Sequence, residues 1–467
     1  MSMSVPKWVR DAVFYQIFPD RFANGNKEND PYNVKPWLEK PSTKGFHGGD
    51  LQGVIQKFDY LIDLGINAIY FNPIFQAAST HRYDTYDYFS IDPILGNIND
   101  FQALLKVAHD NQVKVVIDGV FNHCGRGFFA FNNILENGQD SPYLNWFHIK
   151  NLPLDAYSPG EARNYLGWWG YKSLPKFNTD ELEVRQYLLD VARYWVELGA
   201  DGWRLDVPNE IDDDEFWADF RSTVKTANPE AYILGEIWDG NPRWVGDDHF
   251  DGLMNYPIRD AVFDVIKKKN GISQFAERVE ELLEAYPFEN VQSMLVLLGS
   301  HDTRRIRRKM DGDMERVKLA YLFPFVYPGA PCIYYGDEIG LDGGKDPDCR
   351  RTFPWDTSLW NQSMLNWIKK LIEIRHQEEA LRRGKMDRIF VDEQCYIFKR
   401  YTPDESLIVA LNFGEQPSRV EISVLNSGDN EASSLKDLIS GEEFQADNGM
   451  FRFDISTLSG MILKPVE

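Results

Sequence analysis

Eight short apolar runs that end in polar residues alternate with helical patterns along most of the chain, and that alternation leaves few folds open. The runs are residues 11–18, 66–72, 113–122, 200–206, 231–236, 250–255, 291–302 and 332–337. Helical periodicity sits between most of them, at 54–64, 101–112, 184–198, 216–226, 275–285, 314–326 and 365–379. Strands separated by amphipathic helices pair in parallel, because each helix crosses back over the sheet. Eight such units predict an α/β fold, a (β/α)8 TIM barrel with its functional groups at the carboxyl ends of the strands.

Two segments break the alternation. Between residues 124 and 178 the chain runs through Gly, Asn, Pro and aromatic residues before helical periodicity returns, too long a stretch for a plain connector. It reads as an inserted domain after the third strand, leaving residues 1–123 and 179–384 as the barrel. From about residue 385 to 467 the pattern changes to short alternating runs such as Cys395-Tyr-Ile-Phe-Lys-Arg-Tyr, which predict a C-terminal antiparallel β-sandwich.

Composition removes several classes of partner. A net charge of −22 over 467 residues supplies no basic stripe for nucleic acid or an anionic membrane. No stretch reaches the length of a membrane span, and the first residues lack an apolar signal core. Cys124, Cys332, Cys349 and Cys395 are far apart, without metal-site or disulfide spacing, so a reducing, cytoplasmic compartment is expected. The 13 tryptophans suit stacking on sugar CH faces, although a core role accounts for most aromatics.

Asp206 and Glu236 carry the chemistry. Each ends an apolar run, and the helical segment 212–228 lies between them, so the unit is βαβ. Neighbouring parallel strands about 4.8 Å apart bring both carboxylates to one sheet edge. A retaining glycoside hydrolase needs its two carboxyl groups about 5 to 5.5 Å apart. Either residue alone also suits the capping of a following helix. Arg204 precedes Asp206 by two, so both point into the barrel, and its guanidinium is expected to hold Asp206 ionised. Leu234, Ile237 and Trp238 around Glu236 are expected to desolvate and raise its carboxyl, as a general acid requires. Asp302 ends a third strand, and Asp118, on one strand face with Asn122, is placed to orient Arg204.

Asp118-Gly-Val-Phe-Asn-His123, Gly202-Trp-Arg-Leu-Asp206-Val-Pro-Asn-Glu210, Gly235-Glu236-Ile-Trp238 and Gly299-Ser-His301-Asp302 resemble the four sequence regions of the α-amylase family, in its order. Leu174-Pro-Lys-Phe-Asn178 is similar to the fifth region, near the end of domain B. Within the family, Val207-Pro208-Asn209-Glu210 resembles the cyclomaltodextrinase, neopullulanase and maltogenic amylase group, with proline for the group's alanine. The resemblance implies that Asp206 is the nucleophile, Glu236 the acid/base and Asp302 a grip on the hydroxyls of the distorted sugar. It further implies sugar contacts from Tyr83, His123, His301, Asp346 and Arg350, and acceptor-side contacts from Asn209 and Glu210. Trp168, Trp169 and Tyr171 suit either glucan stacking or packing of the insert.

A hard-cation site is a further expectation. Asn24, Asn26, Asn29 and Asp30, with Gly49 and Asp50, offer oxygen ligands similar to the group's Ca2+ loop, although the same residues also suit an Asn/Gly turn with helix caps. The implied substrates are α-glucans: maltooligosaccharides, cyclodextrins, pullulan or branched polymers, with α-1,4 and α-1,6 bonds cut. No organic cofactor is expected. Alternatives are a mainly α-1,6 debranching enzyme, a 4-α-glucanotransferase and a non-catalytic binding subunit, the last disfavoured by the intact carboxylate trio. The group's N-terminal β-domain does not precede the first strand in this sequence, so a monomer, or a homodimer through another surface, and a cleft open to polymers are expected.

Overall fold

The computed structural model describes residues 5–428 and 432–466. Eight parallel strands form the central sheet: β1 (Phe14–Ile17), β2 (Ala68–Phe71), β3 (Lys114–Gly119), β4 (Gly202–Leu205), β5 (Tyr232–Gly235), β6 (Gly252–Leu253), β7 (Leu295–Leu297) and β8 (Ala330–Tyr334). Their order is β6-β5-β4-β3-β2-β1-β8-β7, and a parallel bridge between Met254 and Leu295 joins the two edge strands, so the sheet closes into a barrel. Inside, Phe14, Ala68, Val116, Tyr232 and Leu295 pack as an apolar floor. Because side chains alternate along a strand, the next inward residues are Gln16, Tyr70, Asp118, Arg204 and Leu234. The interior thus turns from apolar to polar towards the carboxyl ends.

Two strands are shorter than the sequence predicts. The run 250–255 keeps only Gly252 and Leu253 in the ladder, where a Cβ on Gly252 would meet Ser293 O at 2.1 Å. The run 291–302 is strand only from Leu295 to Leu297, because Phe288–Val291 is a short helix leading into it. The predicted helix 54–64 is two helices, Leu51–Gln56 and Phe58–Leu64, meeting at Lys57. A helix at Tyr256–Ile266 was not expected; it follows the run 250–255 directly, with Asn255 as cap and Pro257 in its first turn.

The segment after β3 holds a helix, Phe129–Asn137, and short bridges, among them His123 with Lys176 and Phe147 with Phe177. These bring the end of the insert back against the mouth of the barrel. The C-terminal strands β9 (Lys385–Val391), β10 (Cys395–Tyr401), β11 (Ser406–Asn412), β12 (Ser418–Ser423), β13 (Ser434–Asp437), β14 (Glu443–Asp447), β15 (Met450–Ile455) and β16 (Ser459–Val466) form one antiparallel sheet, ordered β9-β10-β11-β16-β13-β14-β15-β12. Tyr396, Phe398, Leu407 and Val409 join the core of the barrel, whereas Cys395, Ile397, Ile408 and Ala410 face Val420, Ile422, Phe451 and Phe453. That period-two division lets the sheet pack on both faces.

Candidate active site

Arg204, fully buried on β4, organises the centre. Its Nη1 donates to Asp118 at 2.9 and 3.0 Å and to Asp206 Oδ1 at 3.0 Å, and its Nη2 lies 2.8 Å from Glu236 Oε2. One guanidinium therefore touches the carboxylates at the ends of β3, β4 and β5, as parallel pairing of those strands allows. Asp118 also accepts from Tyr70 Oη at 3.0 Å and Tyr83 Oη at 2.9 Å. Glu236 receives the Val207 N–H at 3.2 Å and the Trp238 indole N–H at 3.3 Å.

Burial pushes the Glu236 carboxyl up to about 7, with Arg204 opposing and Asp302 adding to the rise. The expectation that Arg204 holds Asp206 ionised is corrected. Burial is the largest effect on Asp206 and raises it; Arg204 comes next and pulls it down, and Glu236, Asp118 and Asp302 add to the rise. Asp206 and Glu236 share one guanidinium and so titrate together, and the arrangement with the proton on Glu236 leaves Arg204 to pair with the Asp206 carboxylate.

A second cluster stands beside the first. His301 is buried, and its Nδ1 accepts from the Gln16 and Asn72 amides at 3.0 and 2.9 Å. Nε2 then carries the hydrogen, facing Tyr83 Oη at 2.7 Å and Asp302 Oδ2 at 3.1 Å. Burial, reinforced by Arg350 and Arg204, keeps the ring neutral, its pKa well below the usual histidine range. The rings of Tyr83 and His301 are stacked, centroids 5.4 Å apart. Arg350 donates to His301 O at 2.9 Å and to Asp302 Oδ1 at 3.3 Å, and its Nη1 lies 3.0 Å from Asp346. Asp302 is 35% exposed at its side chain, so it offers oxygens to the cleft while Arg350 fixes it.

His123 lies on the insert side of the mouth. Its ring stacks on Trp168 at 5.2 Å, and Trp168 stacks on Trp169 at 4.8 Å. His123 Nε2 and Trp168 Nε1 are buried without a hydrogen-bond partner, and the outer ring, Trp169, is 74% exposed. Tyr171 is exposed as well, so these aromatics present faces to solvent as well as packing the insert. Asn209 is exposed and Glu210 half-buried in the short turn after Asp206. Sequence reasoning missed Gln16, Asn72, His81 and Tyr256. Gln16 and Asn72 set the tautomer of His301, His81 stacks on Tyr83, and Tyr256 stacks on the half-exposed Trp238 at 3.9 Å. Gln16, Asn72 and Tyr256 lie at a strand end or just beyond one and His81 two residues before Tyr83, signals that mark position but not partner.

The loop after β1 gathers Asn24, Asn26, Asn29, Asp30, Gly49 and Asp50. Asp50 accepts from the N–H groups of Gly25, Asn26 and Gly53 at 3.0, 2.8 and 2.6 Å, and Asn24 Nδ2 donates to Asp30 at 2.7 Å. Asn24 Oδ1 and Asn29 Oδ1 are buried acceptors with no partner, an arrangement that fits a hard cation. Among the described residues no group of three or more His, Cys, Asp or Glu is placed to hold a metal, so the amide oxygens are the distinctive donors here.

A barrel with Asp206 and Glu236 on Arg204 at the ends of β4 and β5, and Asp302 on Arg350 beyond β7, has the make-up of an O-glycosyl hydrolase. The family model for the catalytic domain of alpha amylase matches residues 16–384, and that for the alpha-amylase C-terminal domain matches residues 384–463. The chain belongs to the α-amylase family. It is similar to the cyclomaltodextrinase of Thermoanaerobacter pseudethanolicus, 46% identical over 92% of this chain and 74% of that protein. Neopullulanase 2 of Thermoactinomyces vulgaris is 41% identical over 98% of this chain and 78% of its own. Among solved structures, the debranching enzyme from Nostoc punctiforme superposes with a TM-score of 0.89 at 40% identity, covering 99% of this chain and 100% of that one.

Proposed function

We propose that the protein hydrolyses α-glucans with retention, cutting α-1,4 and α-1,6 bonds of maltooligosaccharides, cyclodextrins, pullulan or branched polymers. The observation that carries this is Arg204 reaching both Asp206 and Glu236, which sets two carboxylates on adjacent strands around one space. Glu236, with its raised pKa, gives its proton to the glycosidic oxygen as Asp206 attacks the anomeric carbon and the C–O bond breaks. As the proton leaves Glu236, Arg204 stabilises the carboxylate that remains. Water then gives its proton to Glu236 and displaces Asp206, so the sugar leaves with its original configuration. Tyr83, stacked on the neutral His301 beside Asp302, offers the sugar a flat face, and His301 orients the Tyr83 hydroxyl and Asp302. NMR of the first product released from maltotriose tests the mechanism: the α-anomer is expected, and the β-anomer would overturn it.

The α-1,6 activity is supported by the names of similar proteins, a neopullulanase and a debranching enzyme. Product analysis on pullulan, cyclodextrin and a branched polymer separates the linkages. Ca2+ is proposed for the loop after β1, held by Asn24, Asn29, Asp30 and Asp50, where it would supply charge to the buried amide oxygens and fix the loop. A cytoplasmic location is proposed from four cysteines that are buried and free.

A further inference from the structure

Lys176 belongs to the Leu174-Pro-Lys-Phe-Asn178 motif, which the chemistry above leaves unused. Its backbone is fixed beside the barrel mouth: it bridges His123, its N–H donates to Leu166 O at 2.9 Å, and the next N–H donates to Asn122 O at 3.1 Å. From there the ammonium crosses to the turn after the nucleophile, donating to Glu210 O at 2.5 Å and lying 3.9 Å from Glu210 Oε2.

That turn is strained. Val207 has φ +37° and ψ 51°, a left-handed conformation that a β-branched residue avoids. Its far end is held by Lys176 on Glu210 O and by Trp217 Nε1 on Ile211 O at 2.9 Å, with Glu210 N–H closing back on Val207 O at 3.0 Å. What the strain delivers is the Val207 N–H, pointed at Glu236 Oε2 from 3.2 Å.

We propose that Lys176 is a positioning residue for the general acid: by gripping Glu210 O it keeps the Val207 turn closed and the Val207 N–H on Glu236. The inserted segment thereby governs the proton donor of the barrel. The proposal rests on the reading of Glu236 as the acid. Other charged groups facing Glu236 are Arg204, Asp206, Asp118 and Asp302. Those near Lys176 are Glu210, His123 and His148. The Val207 N–H favours ionised Glu236, so its loss raises the pH at which the acid is spent.

The test is the pH profile of kcat/KM on a maltooligosaccharide. Lys176→Met should move the alkaline limb up by about half a unit, because a donor to the carboxylate is lost, and lower kcat about tenfold through misplacement. Lys176→Arg should restore both. The double variant Lys176→Met with Val207→Gly should also bring the limb back, since glycine takes positive φ without strain. Lys176→Gln, too short to span to Glu210 O, is measured alongside, so a folding failure of one variant leaves the other to decide. A limb unmoved in Lys176→Met and Lys176→Gln, or one the glycine fails to bring back, overturns the proposal. A Glu236→Gln variant that keeps the limb would instead overturn the reading of Glu236 itself.

Discussion

At the scale of single residues the site depends on one cation serving several carboxylates. Arg204 contacts Asp118, Asp206 and Glu236, and on the proposed mechanism an amide at Asp206 or Glu236 removes chemistry while keeping the packing. Asp206→Asn and Glu236→Gln are each expected to lower kcat by about a thousandfold or more, with circular dichroism unchanged. A variant retaining over about a tenth of the activity would remove that residue's role. The pH dependence follows from the pKa of Glu236 near 7. Its reactive form is the protonated one, so kcat/KM is supported below that value and lost as pH rises through about 7. The stability sign is opposite to that of an ordinary salt-bridged carboxylate. With its folded pKa above the unfolded value, Glu236 costs stability as pH rises from about 4.3 through 7. A flat kcat/KM between pH 6 and pH 8 would contradict the assignment of the acid.

At the scale of elements the loop after β1 acts through Asp50. This carboxylate caps the helix Leu51–Gln56 and gathers the N–H groups of Gly25 and Asn26, so three backbone donors depend on it. Asp50→Ala should cost about 2–3 kcal/mol in denaturant unfolding, through a lost cap and unpaired buried N–H groups. Chelation by EDTA should lower the wild-type Tm by a few degrees and added Ca2+ restore it, since the ion binds only the folded loop. An unchanged Tm would remove the cation and leave the loop as an Asx-capped turn.

At the scale of the whole molecule, the barrel and C-terminal sheet share a core, and Arg400 crosses the seam between them. Arg400 on β10 donates to Gly384 O at 2.9 Å and also reaches Val326 O, at the end of the helix Met314–Val326. On the barrel side of the seam, Arg375 from the helix Gln362–Gln377 donates to Phe325 O at 2.9 Å and to Gly329 O. Neither is paired with a carboxylate in these contacts; they satisfy the carbonyls that a helix end leaves free. Arg400→Ala should cost about 3 kcal/mol, from orphaned carbonyls and lost packing, read as a lower midpoint in urea. A loss below about 0.5 kcal/mol would mean that the seam is held by apolar contact alone.

The sequence by itself determined the barrel, the C-terminal antiparallel layer and the positions of Asp118, Arg204, Asp206, Glu236 and Asp302. It did so because strand alternation fixes which residues point inward, and because polar residues at the ends of apolar runs mark one edge of the sheet. Short or fused elements were less legible: β6 keeps two residues, and the helix Tyr256–Ile266 follows it with only Asn255 between the strand-like run and the helix. Only the tertiary structure decided the electrostatics and partnerships. That Asp206 rises with Glu236, that Gln16 and Asn72 set the tautomer of His301, and that Lys176 reaches Glu210 all depend on contacts between segments far apart in the chain. Local pattern gives a side chain its direction along an element; burial and the neighbours it meets come from closure of the barrel and return of the insert, which no local pattern contains.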